Sequence, residues 1–250
     1  MLTFIKSELT YDRYHTNHDN IYRLVTRVTL PAGLGVAEGP VVGFSVGPMM
    51  VRDYPQFDKF VRFNRSPLQI FHANSTTQVW ESVFHVDASV FEVFNHEILY
   101  GDPVNVLTQP DEIAVSESFA RQYFNRTNVI GERVSSQTSD YQIGLVFKDL
   151  PENVHLKYDV LLPMNALNNV EPEYLQRQYD SIWSASFITY FQATTSFNIA
   201  EFQSIAEQFY QERMAPTASP SIANFEMELQ PLTQVHFGPA FMNDEPVGNI

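Results

Sequence analysis

Cysteine is absent from the 250-residue sequence, and basic residues are few: 15 Lys and Arg stand against 29 Asp and Glu, which gives a net charge of −14. Without thiols the chain can form no disulfide, no cysteine-ligated zinc site and no iron–sulfur cluster. The negative charge disfavours a nucleic-acid binder, because such a protein needs basic side chains to neutralise phosphates. It equally disfavours a polybasic contact with anionic lipid headgroups.

Long hydrophobic runs are also absent, since no stretch reaches the 18 apolar residues of a membrane span. The segment 33–51 is rich in glycine and proline, and its composition predicts a loop running into a short helix. The first nine residues lack the basic region and apolar core of a secretory signal peptide. If the protein works outside the cytoplasm, we expect this polypeptide to be a piece of a longer one.

Aromatic residues are plentiful, with 20 Phe, 12 Tyr and 2 Trp in a chain that is 44% hydrophobic. Such a chain can fill a hydrophobic core, and its length suits one large domain or two small ones. No repeat occurs at a period of 20–50 residues. The alternation of apolar and polar positions with helical spacings predicts a mixed α+β fold.

Two strand–helix–strand elements are predicted, one in each outer part of the chain. The first has strands over 21–30 and 57–64 with a helix over 44–54 between them. The second has a strand over 187–194, a helix capped by Asn198 with an apolar stripe, and a closing strand over 225–232. Paired elements of this kind are typical of a ferredoxin-like fold.

In the middle of the chain, the sequence pattern predicts short strands and few long helices. Strands are expected there over 77–86, 111–115 and 141–147, and short helices over 88–94 and 117–124, the latter capped by Ser116; a further strand, over 155–162, begins the last third of the chain. Two outer elements around a different middle block indicate one discontinuous domain with an insertion.

The seven histidines show no metal-binding frame. His15 and His18 have the spacing of two ligands on one helical face, but no HExxH or comparable motif surrounds them. We therefore expect this pair to be solvated. His85 and His96 flank the short helix predicted over 88–94, and their spacing alone does not define a metal site.

Carboxylates and serines form no catalytic pattern either. The sequence does not favour any pair of carboxylates, such as Glu226 with Glu228 or Asp149 with Glu152, as a general acid and base. Ser45 lacks the frame of a nucleophile elbow, and no nucleotide-binding glycine motif occurs. The residues therefore predict no catalytic, cofactor-binding or metal-binding site, and a binding or mechanical module fits better than an enzyme.

Several phrases, in order along about 230 residues, carry a resemblance to a known family. They are ELTYDRYH (8–15), NIYR (20–23), FEVF (91–94) with LYGDP (99–103), IAVSESFARQYF (113–124), GLVFKDLPEN (144–153), HLKYD (155–159) and LQPLTQVHF (229–237). Together they resemble the extracytoplasmic domain of MacB/FtsX-type ABC transporter permeases. The chain departs from the family pattern at Asn125, Val154 and Gln234.

The resemblance implies an architecture and a location. It implies an α+β fold with a discontinuous Porter-like domain of two ferredoxin-like elements over 1–68 and 152–250, and an inserted, β-rich Sabre-like domain over 69–151. The chain would be the periplasmic loop between membrane helices 1 and 2 of an inner-membrane protein. In that arrangement 2–5 would be the last turn of the first helix, and 248–250 would approach the second.

The resemblance also implies a function, namely mechanotransmission that couples cytoplasmic ATP hydrolysis to periplasmic movement during export of peptides, lipids, toxins or lipoproteins. Implied partners are an ABC ATPase subunit, a second permease copy, membrane through flanking helices, and a periplasmic adaptor or outer-membrane channel. No cofactor and no nucleic acid are implied. The alternative is a periplasmic ligand-sensing domain of a membrane signalling or resistance complex. The aromatic residues expected to stiffen the lever are Phe91, Phe94, Phe119, Phe124, Phe202 and Phe209.

Overall fold

The computed structural model describes residues 10–66, 71–72, 82–137, 139–239 and 241. Its strands are β1 (Ile21–Thr29), β2 (Val36–Gly39), β3 (Val41–Gly43), β4 (Phe57–Ser66), β5 (Phe71–His72), β6 (Val83–Val86), β7 (Ile98–Gly101), β8 (Glu112–Ser116), β9 (Arg133–Ser135), β10 (Asp140–Phe147), β11 (Val160–Pro163), β12 (Ala185–Ala193) and β13 (Asn224–Pro231). Its α-helices are α1 (Val46–Asp53), α2 (Val90–Val93), α3 (Glu117–Phe124), α4 (Leu167–Val170), α5 (Tyr174–Asp180), α6 (Phe202–Phe209) and α7 (Leu232–Val235). The predictions for 2–5, 77–81 and 248–250 lie outside the described residues.

The chain divides into two compact units. The first comprises 1–62 and 177–250, and the second comprises 63–176. Strand β4 passes through the division, so its two parts belong to different units. The Porter-like and Sabre-like boundaries at 68/69 and 151/152 stay a prediction.

The first unit contains both predicted strand–helix–strand elements. Helix α1 lies between β1 and β4 in the chain, and α6 lies between β12 and β13. The strands take the order β13–β1–β12–β4, in which β1 is antiparallel to both of its neighbours. This is the strand order of a ferredoxin-like sheet, so the mixed α+β prediction and its two elements are confirmed.

The amphipathic stripe of α6 builds the core of this unit. Phe202, Ile205 and Phe209 are buried in a cluster that includes Leu24 of β1 and Met227 of β13. Burial of each such side chain contributes about 1.5–3 kcal/mol. A 3-10 turn precedes α6, and there the Asn198 side chain accepts a hydrogen bond from the Ala200 N–H at 3.1 Å. The predicted cap is therefore present.

The second unit has a mixed sheet with the order β4–β6–β11–β8–β10–β9–β5, to which β7 adds along β10. The pairs β6/β11 and β8/β10 are parallel. Phe119 of α3 packs with Val115 and Ile143 in a buried cluster. Five aromatic rings of this unit contact one another in a second group: Phe63, Phe84, Phe94, Phe147 and Tyr158.

The ends of α3 follow local sequence signals. The Ser116 hydroxyl accepts a hydrogen bond from the Phe119 N–H at 3.0 Å, as expected of an N-cap. Asn125 closes the helix in the left-handed region with φ +57°, and its N–H donates to the Arg121 carbonyl at 2.9 Å. Because Asn tolerates this conformation better than other non-Gly residues, it suits the position that ends this helix.

Three expectations about the fold differ from the structure. The segment 33–51 forms β2 and β3 before α1, although its composition predicted a loop. The strand predicted over 155–162 begins only at Val160. Of the six aromatics expected in the core, Phe94, Phe119, Phe202 and Phe209 are buried, whereas Phe91 and Phe124 are only partly buried.

Among the described residues, no helix combines the length and apolar character that a membrane crossing requires.

Candidate functional site

The segments near the two ends of the first unit meet on its sheet. Residues 10–20 precede β1, and α7 follows β13 directly. Because α7 contacts β1, β13 and the turn at His18–Asn20, the two segments lie close together. Two side-chain contacts lie in these segments and on the strands that adjoin them, namely Tyr11 with His236 and Arg23 with Gln230, and we name these four residues the terminal cluster.

Arg23 is the most unusual member, because it is an arginine with no exposed surface. It lies on β1 directly opposite Gln230 of β13. Its Nε and Nη2 donate to Gln230 Oε1 at 3.1 and 2.7 Å, and its guanidinium lies 5.7 Å from the ring centre of Phe241. A buried guanidinium is costly unless it is hydrogen-bonded, so the strand pair β1–β13 holds a strongly oriented polar contact at this point.

Tyr11 and His236 complete the cluster. Their rings stack with centroids 3.5 Å apart and an interplanar angle of 10°. Gln230 in turn donates through Nε2 to the Gln234 carbonyl at 3.3 Å, which ties β13 to α7. Side chains from before β1 and from after β13 are therefore held in one arrangement.

The residues preceding β1 are less exposed than the sequence suggested. Asp12 and His15 are 1% and 4% exposed, and Asp12 has a φ of +59°. The expectation that His15 and His18 form a solvated pair is wrong for His15. His18 is half-buried, with its Nδ1 2.9 Å from an Asp19 carboxylate oxygen.

A polar cavity in the second unit collects residues from three of the family-like phrases. It has a volume of about 370 Å³ and is lined by Ser116, Ser118, Asp149 and Asp159, among others. Asp149 accepts from the Ser118 N–H at 2.8 Å and from its hydroxyl at 2.6 Å, while Asp159 accepts from the Ser116 hydroxyl at 3.1 Å. Both carboxylates are engaged at the start of α3. Asp149, which the sequence paired with Glu152, thus caps a helix.

The two histidines that flank α2 do not converge on a metal. His85 is buried on β6, where burial lowers its pKa to about 4. Loss of hydration also lowers the pKa of His96 to about 4, and its Nε2 lies 2.7 Å from the Tyr158 hydroxyl. In the described part of the chain, no three His, Asp or Glu side chains form a group that could hold a metal ion.

Sequence reasoning did not single out Arg23 and Gln230. In an alternating strand, a basic residue between apolar neighbours is expected to face solvent. The available signal was that both residues lie within the quoted phrases NIYR and LQPLTQVHF. Only the pairing of β1 with β13, more than 200 positions apart in the chain, brings them together.

The ends of a folded domain often lie close together, and here residues 10–20 and α7 do so. The sequence profile of the MacB-like periplasmic core domain matches residues 1–209. The chain therefore belongs to this family of periplasmic domains of ABC-transporter permeases.

Solved structures support the same fold. A domain of a protein described as a permease from Porphyromonas gingivalis superposes with a TM-score of 0.75 at 18% identity, covering 94% of this chain and 95% of that one. The periplasmic region of MacB from Actinobacillus actinomycetemcomitans gives 0.54 at 12% identity, covering 82% and 87%. The extracellular domain of the ABC-type transporter YknZ from Gram-positive bacteria gives 0.54 at 10% identity, covering 83% and 99%. The comparison with curated proteins found no match.

Proposed function

We propose that this domain transmits movement from flanking membrane helices of an inner-membrane permease to the periplasm. The observation that carries the proposal is the convergence of the two end segments, marked by the stacking of Tyr11 on His236. Two helices that continue from such segments would enter the membrane side by side. A shift of either helix would then act on the same pair of strands, β1 and β13.

The terminal cluster supplies the stiff attachment that transmission requires. Arg23 and Gln230 hold β1 and β13 in one register, and Gln230 extends the contact to α7 through Gln234. Close-packed interiors transmit strain because they have low compressibility. A force applied at residues 10–20 or at α7 therefore reaches the whole sheet of the first unit.

The energy source lies outside this chain in the proposal. The sequence contains no phosphate-binding glycine motif, so ATP hydrolysis is assigned to an ABC ATPase subunit that drives a pair of permease copies. The movement would expel or relocate a peptide, lipid, toxin or lipoprotein, with an adaptor or outer-membrane channel as a further candidate partner. We also propose that the domain has no enzymatic activity, which nucleotide turnover or hydrolysis by the purified chain would disprove.

The absence of cysteine allows a direct test by site-directed labelling. Glu201 and Lys157 are exposed and belong to the first and second unit, so each can be replaced by a labelled cysteine without disturbing a core. In the full-length permease assembled with its ATPase, distances between the same label in two copies should differ between the nucleotide-free and the ATP-trapped state. Two labels within the first unit, at Glu201 and Glu38, should keep their distance.

Identical distance distributions between copies in both states, in an assembly that hydrolyses ATP, would refute the proposal. A change of the distance within the first unit would show that this unit deforms and does not transmit as a rigid body. The control is a hydrolysis-deficient ATPase that binds ATP, which should give the ATP-trapped distances alone.

The sensing alternative requires room for a ligand. The apolar cavity of the first unit, lined by Val42, Ile182 and Trp183 among others, has a volume of about 60 Å³. An apolar cavity that accepts benzene measures about 150 Å³. This cavity is therefore too small for a lipid chain or an aromatic side chain, so it does not favour the sensing alternative.

A further inference from the structure

The edge of the first unit's sheet at β13 is open among the described residues. β13 pairs with β1 along its whole length, from Asn224 opposite Thr29 to Pro231 opposite Tyr22. In the described part of the chain no other strand pairs with it, and it ends the strand order. An edge strand directs the N–H and C=O groups of alternate residues outward, where another extended chain can bind them.

A groove runs beside this open edge. It lies between α6 with its continuation and β13, and has a volume of about 260 Å³. Its base includes the rings of Tyr210 and Phe225, which stack with centroids 5.7 Å apart and an interplanar angle of 18°. Glu207 and Glu226 line it as well, and both residues are exposed.

The charges of the groove select its ligand. Within the described residues neither Glu207 nor Glu226 forms an ion pair, and the nearby Arg27 is engaged with Glu38 at 3.0 Å. A cationic side chain is attracted both by carboxylates and by the face of an aromatic ring. The net charge of −14 adds a long-range attraction for cationic molecules.

From these features we propose that the open edge of β13 and the adjoining groove dock an extended cationic polypeptide segment, which adds to the sheet as a further strand. An arginine or lysine of the segment lies against Tyr210 beside Glu207, and Glu226 adds negative charge at the same edge of the sheet. Successive side chains of a strand point to opposite faces, so basic residues at every second position would face the groove. Backbone bonding gives affinity in this mode, and alternate side chains give selectivity.

The test measures fluorescence anisotropy of a labelled eight-residue peptide that alternates Arg and Thr, titrated with the 250-residue chain. The peptide should bind, and a peptide that alternates Glu and Thr should not. Glu207→Gln and Glu226→Gln should each weaken binding about three- to five-fold, as expected of exposed ion pairs. Glu201→Gln removes the same charge from an exposed residue that does not line the groove, and it should weaken binding less than either groove variant.

Backbone methylation separates strand addition from general attraction between charges. Two further Arg–Thr peptides carry N-methyl groups, one on every Arg and the other on every Thr. Only one of these sets of N–H groups faces β13 in an added strand, so one peptide should lose binding and the other should keep it. The added strand cannot shift by one residue to avoid the methyl groups, because such a shift would turn every arginine to the opposite face of the sheet.

Three results would overturn the proposal. Equal binding by the two methylated peptides would show that the backbone takes no part. Equal weakening by Glu201→Gln and Glu207→Gln would reduce the effect to net charge. A dimer in sedimentation that excludes the peptide would assign this edge to a second copy of the chain.

Discussion

Replacing Arg23 tests whether the terminal cluster holds the end segments together. Arg23→Leu removes two hydrogen bonds to a single acceptor, Gln230 Oε1, and leaves that half-buried oxygen without this donor. Hydrogen bonds from a charged group contribute about 1.5–3 kcal/mol, and an unsatisfied buried acceptor costs about 1–3 kcal/mol. Because the leucine regains part of the loss through its own burial, we expect a net destabilisation of about 3 kcal/mol.

The assay is urea unfolding followed by circular dichroism, with Arg27→Leu as the matched control. Arg27 lies on the same strand four residues further on and pairs with Glu38, but it is exposed. The control should unfold at nearly the same urea concentration as the parent chain, whereas Arg23→Leu should unfold at a lower one. In a thermal scan the melting temperature of Arg23→Leu should be about 6–12 °C below that of the parent chain. If the two variants are equally stable, the buried contact does not hold the segments and the reasoning fails.

Two further predictions concern the second unit. Asn125→Gly should retain the melting temperature, whereas Asn125→Val should lose about 1–2 kcal/mol because the left-handed backbone repels a β-branched side chain. Equal stability of the two variants would contradict this account of the turn. The folded-state pKa of His85 and of His96 is lowered to about 4, so the unfolded chain binds protons first as the pH falls and stability should decrease from about pH 6.5 towards 4. His85→Leu should reduce this decrease of stability at acid pH and leave the stability at pH 7 unchanged, since neither ring nitrogen of His85 has a partner among the described residues. His96→Leu should lower the stability at pH 7, because it removes the contacts of His96 with the Tyr158 hydroxyl and the Phe94 carbonyl. Urea titrations at pH 5 and 7 measure the stability of both variants. If His85→Leu loses as much stability between pH 7 and 5 as the parent chain, His85 does not cause the decrease.

Local signals predicted the elements whose partners lie nearby in sequence. The apolar stripe of α6 and the Ser116 cap of α3 are encoded within one or two helical turns, and both are present as expected. The alternation over 21–30 predicted β1 to within one residue. The strand–helix–strand order around α1 and α6 then limited the fold, because few topologies bury both helices on one sheet.

Elements that depend on long-range pairing could not be predicted in the same way. β2 and β3 form in a glycine-rich segment because β1 and β12 offer them open edges. Close approach requires glycine at Gly43, where an added Cβ would meet the Ile182 carbonyl oxygen at 1.9 Å. Composition indicated a loop there because a sequence does not show which strand will lie beside it.

The same limit applies to the terminal cluster. Tyr11, Arg23 and His236 are individually ordinary polar or aromatic residues in the sequence, and the family-like phrases that contain them do not state what they contact. His15 was expected in solvent for the same reason, and it is buried. The candidate site therefore required the pairing of the first and last strands to be known.

A double replacement can separate stability from transmission. Arg23→Leu combined with Gln230→Leu removes both members of this hydrogen-bonded pair, and replacing both partners of a hydrogen bond by apolar groups is often nearly neutral or stabilising. The double variant should therefore recover at least half of the stability lost in Arg23→Leu, as measured by urea unfolding. Two leucines pack without fixed direction, whereas the guanidinium fixes β1 against β13 through directional bonds. In the assembled permease the double variant should consequently be stable and bind its ATPase, yet show a broader distribution of distances between copies in the ATP-trapped state. A distribution as narrow as that of the parent would mean that the cluster only stabilises the fold, and that movement passes through other contacts between the end segments.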